Sequence, residues 1–274
     1  MHTMRTERFF KHDLLPFAEM RYSQGSRAPF KMHMHQTLSI GAVDEGEVFY
    51  RVEDEEAFLR PGSLAVMNPE TLHACNPVSG AGRSYSMLYL DTGWCTEVQQ
   101  SLWETDCFIP MGKIRIDDDA LYGLYCHTMA QLVDEQVHLQ QKEQLIFDLA
   151  VQVFTHVCSP QQAETCTIED HTVVRLKRLL AADLQDDLPI AALAADLGVN
   201  PYSLIRRFKS LTGITPHAYR MNCRIEQAKR LLRKGGDIGD TALVCGFFDQ
   251  SHFHRTFKAM TTVTPLEYRV NFVQ

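Results

Sequence analysis

Four basic side chains make the clearest chemical pattern in the sequence: Arg206 with Lys209, then Arg255 with Lys258, the same pair at the same spacing 49 residues later. A guanidinium is a planar fork of donors that matches two acceptors on a guanine edge in the major groove, whereas an ammonium is a point charge suited to phosphate. Two such pairs on helices predict a reader of duplex DNA. Tyr202, Ser203 and Arg207 accompany the first pair, and Gln250, Ser251, His252 and His254 the second. A separate constellation, His33-x-His35 with His73, belongs to other chemistry. Imidazoles can ligate a divalent ion, line a pocket for an organic molecule or hydrogen-bond within a core.

The elements that must position the basic pairs occur twice. Phe208 to Arg220 reappears as Phe257 to Arg269, identical at Phe-Lys, Thr-Pro and Tyr-Arg. Before each copy stands a short stretch with i, i+3, i+4, i+7 periodicity that ends in glycine: Ile190, Leu193, Ala194, Leu197 before Gly198, and Ile238, Thr241, Ala242, Cys245 before Gly246. The pattern is helix, tight turn, helix, made twice. In the second helix of the first unit Asn200 is an N-cap and Pro201 fits the first helical position, with Leu204, Phe208 and Leu211 on a core face. In the second unit Asp249 takes the cap and Phe253, Phe257 and Met260 the core face. Arginine and lysine then project outward at matched positions. Between the units, Met221 to Lys234 reads as one connecting helix of about 20 Å that stops at Gly235-Gly236. Such a spacer suits two reading helices set about one DNA turn, roughly 34 Å, apart.

The stretch from about Asp187 to Arg269 resembles the DNA-binding domain of AraC/XylS-type transcription regulators, in which two helix-turn-helix units share a linking helix. Gly198, Leu204, Phe208, Thr215-Pro216, Arg224, Ala228, Leu232, Gly246-Phe247, Gln250-Ser251, Phe253, Phe257-Lys258 and Thr264-Pro265 carry the resemblance. Three positions depart from it. Thr241 stands where the family usually has an apolar residue, Gly239 falls in a helix it should weaken by up to ~1 kcal/mol, and Thr262 replaces the glycine of the first copy. All three soften the second unit.

Charge divides the chain in the same place. Residues 171 to 274 hold 15 Lys and Arg against 9 Asp and Glu, net +6, so residues 1 to 170 carry −13 of the overall −7. Nucleic acid belongs to the basic part alone. No apolar run is long enough to span a membrane and Met1 to Arg8 lacks an apolar signal core, so a cytoplasmic chain with no membrane partner is expected. Eight cysteines without a Cys-x-x-Cys pair read as reduced thiols.

The first 110 residues read as short strands (Leu38 to Val43, Glu47 to Val52, Ala57 to Leu59, Ser63 to Met67, Tyr85 to Tyr89) broken by turns, including Pro61-Gly62 and Gly80-Ala81-Gly82. That pattern predicts a sandwich or small barrel. The order His33-x-His35, Pro61-Gly62, Asn68-Pro69, His73 resembles the cupin barrel, the usual sensor half of sugar-responsive members of the same regulator family. In metal-binding cupins a Glu follows the His-x-His pair; here Ser39 and Ile40 stand in its place. His33, His35 and His73 are therefore assigned to an effector pocket, with no obligatory cofactor and a divalent metal on the same three residues as the alternative. Tyr50, Tyr85, Tyr89 and Trp94 are candidate pocket walls.

From Asp117 to Val157 the pattern turns helical, with polar Asp134 to Lys142 between two stripes. In the resembling regulators such helices form the dimer contact, so a homodimer is expected. The expected organisation is α+β in two domains: a cupin-like β-barrel with appended helices over 1–158, a linker over 159–170, and an all-α DNA-binding domain over 171–274 with helix-turn-helix units at about 187–211 and 237–260. The expected function is a non-enzymatic, sequence-specific transcription regulator, activating through RNA polymerase in response to a small effector. A metal-dependent cupin enzyme with an appended DNA module and a regulator that needs no ligand are the competing readings.

Overall fold

The runs 38–43 and 63–67 of the N-terminal part are buried on both faces, which is why few polar residues punctuate them. The computed structural model describes residues 6–78, 81–103, 105–158, 170–185, 188–270 and 272–273. The chain forms two compact units, one of Met1–Pro29, His35–Cys166 and Asn271–Gln274, the other of Phe30–Met34 and Thr167–Val270. Of the expected linker over 159–170, residues 159–169 lie outside the described residues, as does Gly80 of one expected turn.

Among the described residues of the first unit, ten strands make two sheets. β1 (Thr6–His12), β2 (Leu15–Ser26), β3 (Leu38–Glu45), β6 (Ser63–Met67), β8 (Arg83–Leu90), β9 (Arg115–Asp117) and β10 (Phe272–Val273) form one in the order β10-β1-β2-β8-β3-β6-β9. β4 (Val48–Val52), β5 (Glu55–Leu59) and β7 (His73–Pro77) form the other in the order β5-β4-β7. Along β3 and β6, Leu38, Ile40, Ala42, Leu64 and Val66 face a helical layer, while Val43, Ala65 and Met67 face Val48, Tyr50, Val52 and Leu59 of the small sheet. Successive strand residues point to opposite faces, so both sides of the large sheet are core. The Tyr50 hydroxyl ties the two sheets by donating to Val66 O at 2.7 Å.

The helical layer is α1 (Thr92–Leu102), α2 (Asp119–Val133) and α3 (Leu139–Val157). Tyr122 and Tyr125 pin α2 to β3, donating to Val43 O at 3.0 Å and Ile40 O at 3.1 Å. The polar stretch Asp134 to Lys142 is half helix: α3 already starts at Leu139, and buried Lys142 donates to Leu132 O at 2.9 Å, closing the C-terminal end of α2.

The second unit is α4 (His171–Ala181), α5 (Ile190–Asp196), α6 (Pro201–Thr212), α7 (Pro216–Arg233), α8 (Ile238–Val244), α9 (Gln250–Thr261) and α10 (Pro265–Val270). The connecting helix is longer than its apolar stripe implies. Thr215 caps it by accepting from Ala218 N at 3.2 Å and Pro216 is its first residue, so α7 has 18 residues and spans about 27 Å.

The internal repeat has a packing cause. Phe208 meets Tyr219 edge-on at 5.5 Å between ring centroids, and Phe257 meets Tyr268 edge-on at 5.4 Å. Thr212 and Thr261 each donate a hydroxyl to the carbonyl four residues back, both at 2.7 Å. Arg220 donates to Leu180 O at 3.0 Å, Ala182 O at 3.3 Å and Asp183 O at 2.7 Å, and Arg269 to Gly236 O at 3.2 Å. Each arginine of the Tyr-Arg repeat thus satisfies carbonyls in the last turn of an earlier helix or just past it, where no intrahelical donor remains.

Candidate functional site

Each reading helix begins with a side-chain cap that holds its first turn. Asn200 Oδ1 accepts from Tyr202 N at 3.0 Å and Ser203 N at 3.3 Å, and Asp249 Oδ1 accepts from His252 N at 2.6 Å. Leu204 with Phe208, and Phe253 with Phe257, sink into the core at no more than 1% exposure, which turns the opposite side of each helix outward. Tyr202, Ser203, Arg206 and Lys209 on α6, and Gln250, Ser251, His254, Arg255 and Lys258 on α9, are exposed. Arginine and lysine occupy corresponding outward positions, one turn apart on each helix.

Some residues sit differently from the sequence expectation. Arg207 is exposed but its Nε is ion-paired with Asp170, the residue that also caps α4. His252 is half-buried with its ring edge-on to Phe247 at 5.4 Å. Leu211, expected in the core, is 57% exposed, while its neighbour Thr212 is half-buried and donates its hydroxyl to Phe208 O at 2.7 Å. Met260 is only partly covered. Gly239 is no interior helix glycine: it is the second residue of α8, and its N–H donates to the Asp237 cap at 2.7 Å. Thr241 is buried at the expected apolar position.

Phe248 was not among the sequence candidates, yet it is 89% exposed. The turn between Gly246 and the Asp249 cap holds two residues, Phe247 and Phe248, where the first unit has only Val199 between Gly198 and Asn200. Phe247 packs on Phe253, their rings 5.0 Å apart, so the extra residue is the one pushed into solvent beside the α9 N-terminus. The signal available was a spacing of 48 between the two glycines against 49 for the rest of the repeat.

Among the described residues, His33, His35 and His73 form the group that could hold a metal ion. His35 and His73 face each other with ring centroids 5.0 Å apart, and Tyr89 stands edge-on to His35 at 5.1 Å. His73 is buried with its Nδ1 2.9 Å from Thr71 O, and burial together with the neighbouring His35 lowers its pKa to about 3, so the ring is neutral. His33 has its Nδ1 2.7 Å from Lys31 O and its ring stacked on Phe30. A nitrogen bonded to a carbonyl must carry the proton, which fixes the tautomer of both rings with Nε2 as the basic nitrogen. Tyr50 and Tyr85 are core rather than pocket wall, and Trp94 stacks on Phe17 at 4.4 Å. No helix among the described residues is long and apolar enough to cross a membrane.

The sequence matches a family model described as an AraC-like ligand binding domain over residues 17–146, and one described as a helix-turn-helix domain over residues 193–271. It is 26% identical over 236 residues to YbfI, an HTH-type transcriptional regulator of Bacillus subtilis (strain 168), covering 84% of this chain and 83% of that one. It is 29% identical over 164 residues to the transcriptional activator RhaR of Pectobacterium atrosepticum, covering 60% of this chain and 55% of that one. Among solved structures, ToxT of Vibrio cholerae with an unsaturated fatty acid bound is similar at a TM-score of 0.63 and 14% identity, covering 98% of this chain and 95% of that one. That identity supports a shared fold and no more.

Proposed function

This chain belongs to the AraC family of transcription regulators, with a ligand-binding domain followed by a double helix-turn-helix DNA-binding domain, and from that premise we propose how it reads DNA and what it senses. Helices α6 and α9 enter neighbouring major-groove segments of one duplex. Arg206 and Arg255 read guanine edges, Lys209 and Lys258 hold phosphates, and Tyr202, Ser203, Gln250, Ser251 and His254 make the flanking contacts. Arg207 and His252 reach DNA only by leaving Asp170 and Phe247. Phe248 joins the set, its ring suited to thymine methyl groups. The observation that carries this reading is the matched outward placement of Arg and Lys on two units whose inner faces pack alike.

The expected result of Arg206→Ala or Arg255→Ala is a loss of ~1 to 3 kcal/mol in binding and relaxed preference at one position of the site. Binding measured against a panel of single-base variants checks it. Equal weakening on every sequence would reassign both arginines to phosphate. Footprinting should show two groove segments protected per subunit.

The regulator acts in the cytoplasm as a homodimer through the α2–α3 hairpin, and as an activator that alters recruitment of RNA polymerase. It is not an enzyme. A small effector is received near His33, His35 and His73. A second reading, a divalent ion on these three, is favoured by His33 and His73, whose Nδ1 atoms are anchored on carbonyls, the arrangement that orients histidine as a metal ligand. Elemental analysis of the purified protein and of His73→Gln separates the two: stoichiometric metal lost in the variant selects the ion.

A further inference from the structure

The N-terminal unit carries a cavity on the helical side of the large sheet, with no residue of the small sheet and none of the three histidines in its lining. It measures about 370 Å³ and is lined by Arg8, Met20, Tyr22, Gln24, Asp44, Ser86 and, from α2, Cys126, Met129, Ala130 and Val133. That volume is at the small end of ligand pockets, roughly 300 to 1,000 Å³. Its walls divide chemically. Met20, Met129, Ala130 and Val133 make an apolar side, and Arg8 and Asp44 put one charge of each sign on the rim. Neither is ion-paired among the described residues. Both act on the Tyr22 hydroxyl, whose pKa is raised by burial and then by Asp44 and Glu45, and lowered by Arg8. Burial, then the neighbouring Glu45, also pushes the Asp44 carboxyl up to about 6, the mark of a carboxylate that lacks a counter-charge.

We propose that this cavity binds a small zwitterion with an apolar body, such as an aliphatic α-amino acid, its ammonium on Asp44 and its carboxylate on Arg8. A plain carboxylate would set its charge against Asp44 and Glu45. A plain amine would leave Arg8 unused, and a neutral polyol would leave the half-buried carboxylate uncompensated. The proposal rests on the reading of this unit as a ligand-binding domain and adds a ligand site distinct from the three histidines, with the class of ligand it takes.

The test is calorimetric titration of the full chain with L-leucine, n-hexylamine, hexanoate and D-glucose, repeated on Asp44→Asn, Arg8→Gln and Ala130→Trp, which fills the cavity and leaves both charges. Leucine should bind at least 10-fold more tightly than the other three, and each variant should weaken it at least 10-fold. The proposal is overturned if hexanoate or glucose binds as well as leucine, if leucine binding survives Ala130→Trp, or if nothing binds at 10-fold above ordinary metabolite concentrations of ~1 mM. DNA affinity is measured on the same preparations, so a failure here with DNA binding intact leaves the regulator reading standing. Loss of DNA binding in the unaltered chain would remove that reading instead.

Discussion

The two helix-turn-helix units share an interior and differ in their joints. Both bury an edge-on Phe–Tyr pair, both use a threonine hydroxyl to close the reading helix, and both hand an arginine to carbonyls beyond an earlier helix. The first unit has a one-residue turn before its cap, and Gly213 at φ 74° ends its reading helix. The second has a two-residue turn, and Thr262 at φ 66° does the same work. Repetition has therefore been kept where side chains interlock and lost where the backbone alone must bend. Packing constrains residue identity more tightly than turn geometry does, since a core tolerates no stray methylene and a turn can absorb one residue.

The largest test of that contrast lies in the turn glycines. Both have left-handed φ, 66° at Gly198 and 72° at Gly246. A Cβ on Gly198 meets nothing within 4 Å, whereas one on Gly246 would overlap Leu184 O and lie 2.6 Å from Arg224 Nη2 and 2.7 Å from Gln185 O. Gly198→Ala should cost only the left-handed penalty, ~1 to 2 kcal/mol. Gly246→Ala adds backbone overlap and should cost ~3 to 4 kcal/mol. Urea unfolding of the full chain followed by helical circular dichroism measures both, and equal losses would mean the second turn is no more tightly enclosed than the first.

The helix-end arginines give the next effect. Arg220 is buried and serves three carbonyls, Arg269 is half-buried and serves one. Arg220→Met should destabilise by ~2 to 3 kcal/mol and Arg269→Met by ~1, because Arg220 serves more carbonyls and its bond to Leu180 O is buried. A smaller step is expected at the extra turn residue. Phe248→Ala should leave the unfolding midpoint unchanged, since the ring is in solvent, and weaken DNA binding by ~1 kcal/mol through lost apolar contact. Unaltered affinity would show that the inserted residue faces away from the duplex.

What could be read beforehand follows the same division. The repeat gave the reading helices and their outward Arg and Lys because burial of Phe and Tyr is periodic. The start of α7 lies ahead of its apolar stripe, at the Thr215 cap and Pro216, a pair that the repeat shows only as a shared Thr-Pro. β1 and β2 went unseen because their interior is partly polar: buried Arg21 pairs with Glu7 at 2.9 Å and stacks over Phe9, and Ser23 donates to the same carboxylate at 2.6 Å. Alternation of apolar residues cannot register such a strand. α1 was lost for a related reason, since its cap Asp91 is followed by Gly93, Trp94 and Cys95, a composition with little helical signal. The cavity beneath α2 draws on β1, β2, β3, β8 and α2 and has no local signature at all.

The smallest effect tests whether the joint at Thr262 is a flaw. A β-branched residue in the left-handed region carries a strain of ~1 to 2 kcal/mol that glycine would relieve. Against that, Thr262 is 4% exposed, so Thr262→Gly gives up about one buried methyl, ~0.8 kcal/mol, and adds unfolded-state freedom of ~0.5 to 1 kcal/mol. The terms nearly cancel, and the unfolding free energy should move by less than ~1 kcal/mol. The N–H of residue 262 donates to Lys258 O at 2.9 Å, as Gly213 N–H donates to Lys209 O at 2.9 Å, so the helix ends alike with either residue. A larger gain would show that the threonine side chain contributes little beyond strain. A larger loss would show that the second unit has come to depend on the side chain that displaced its glycine.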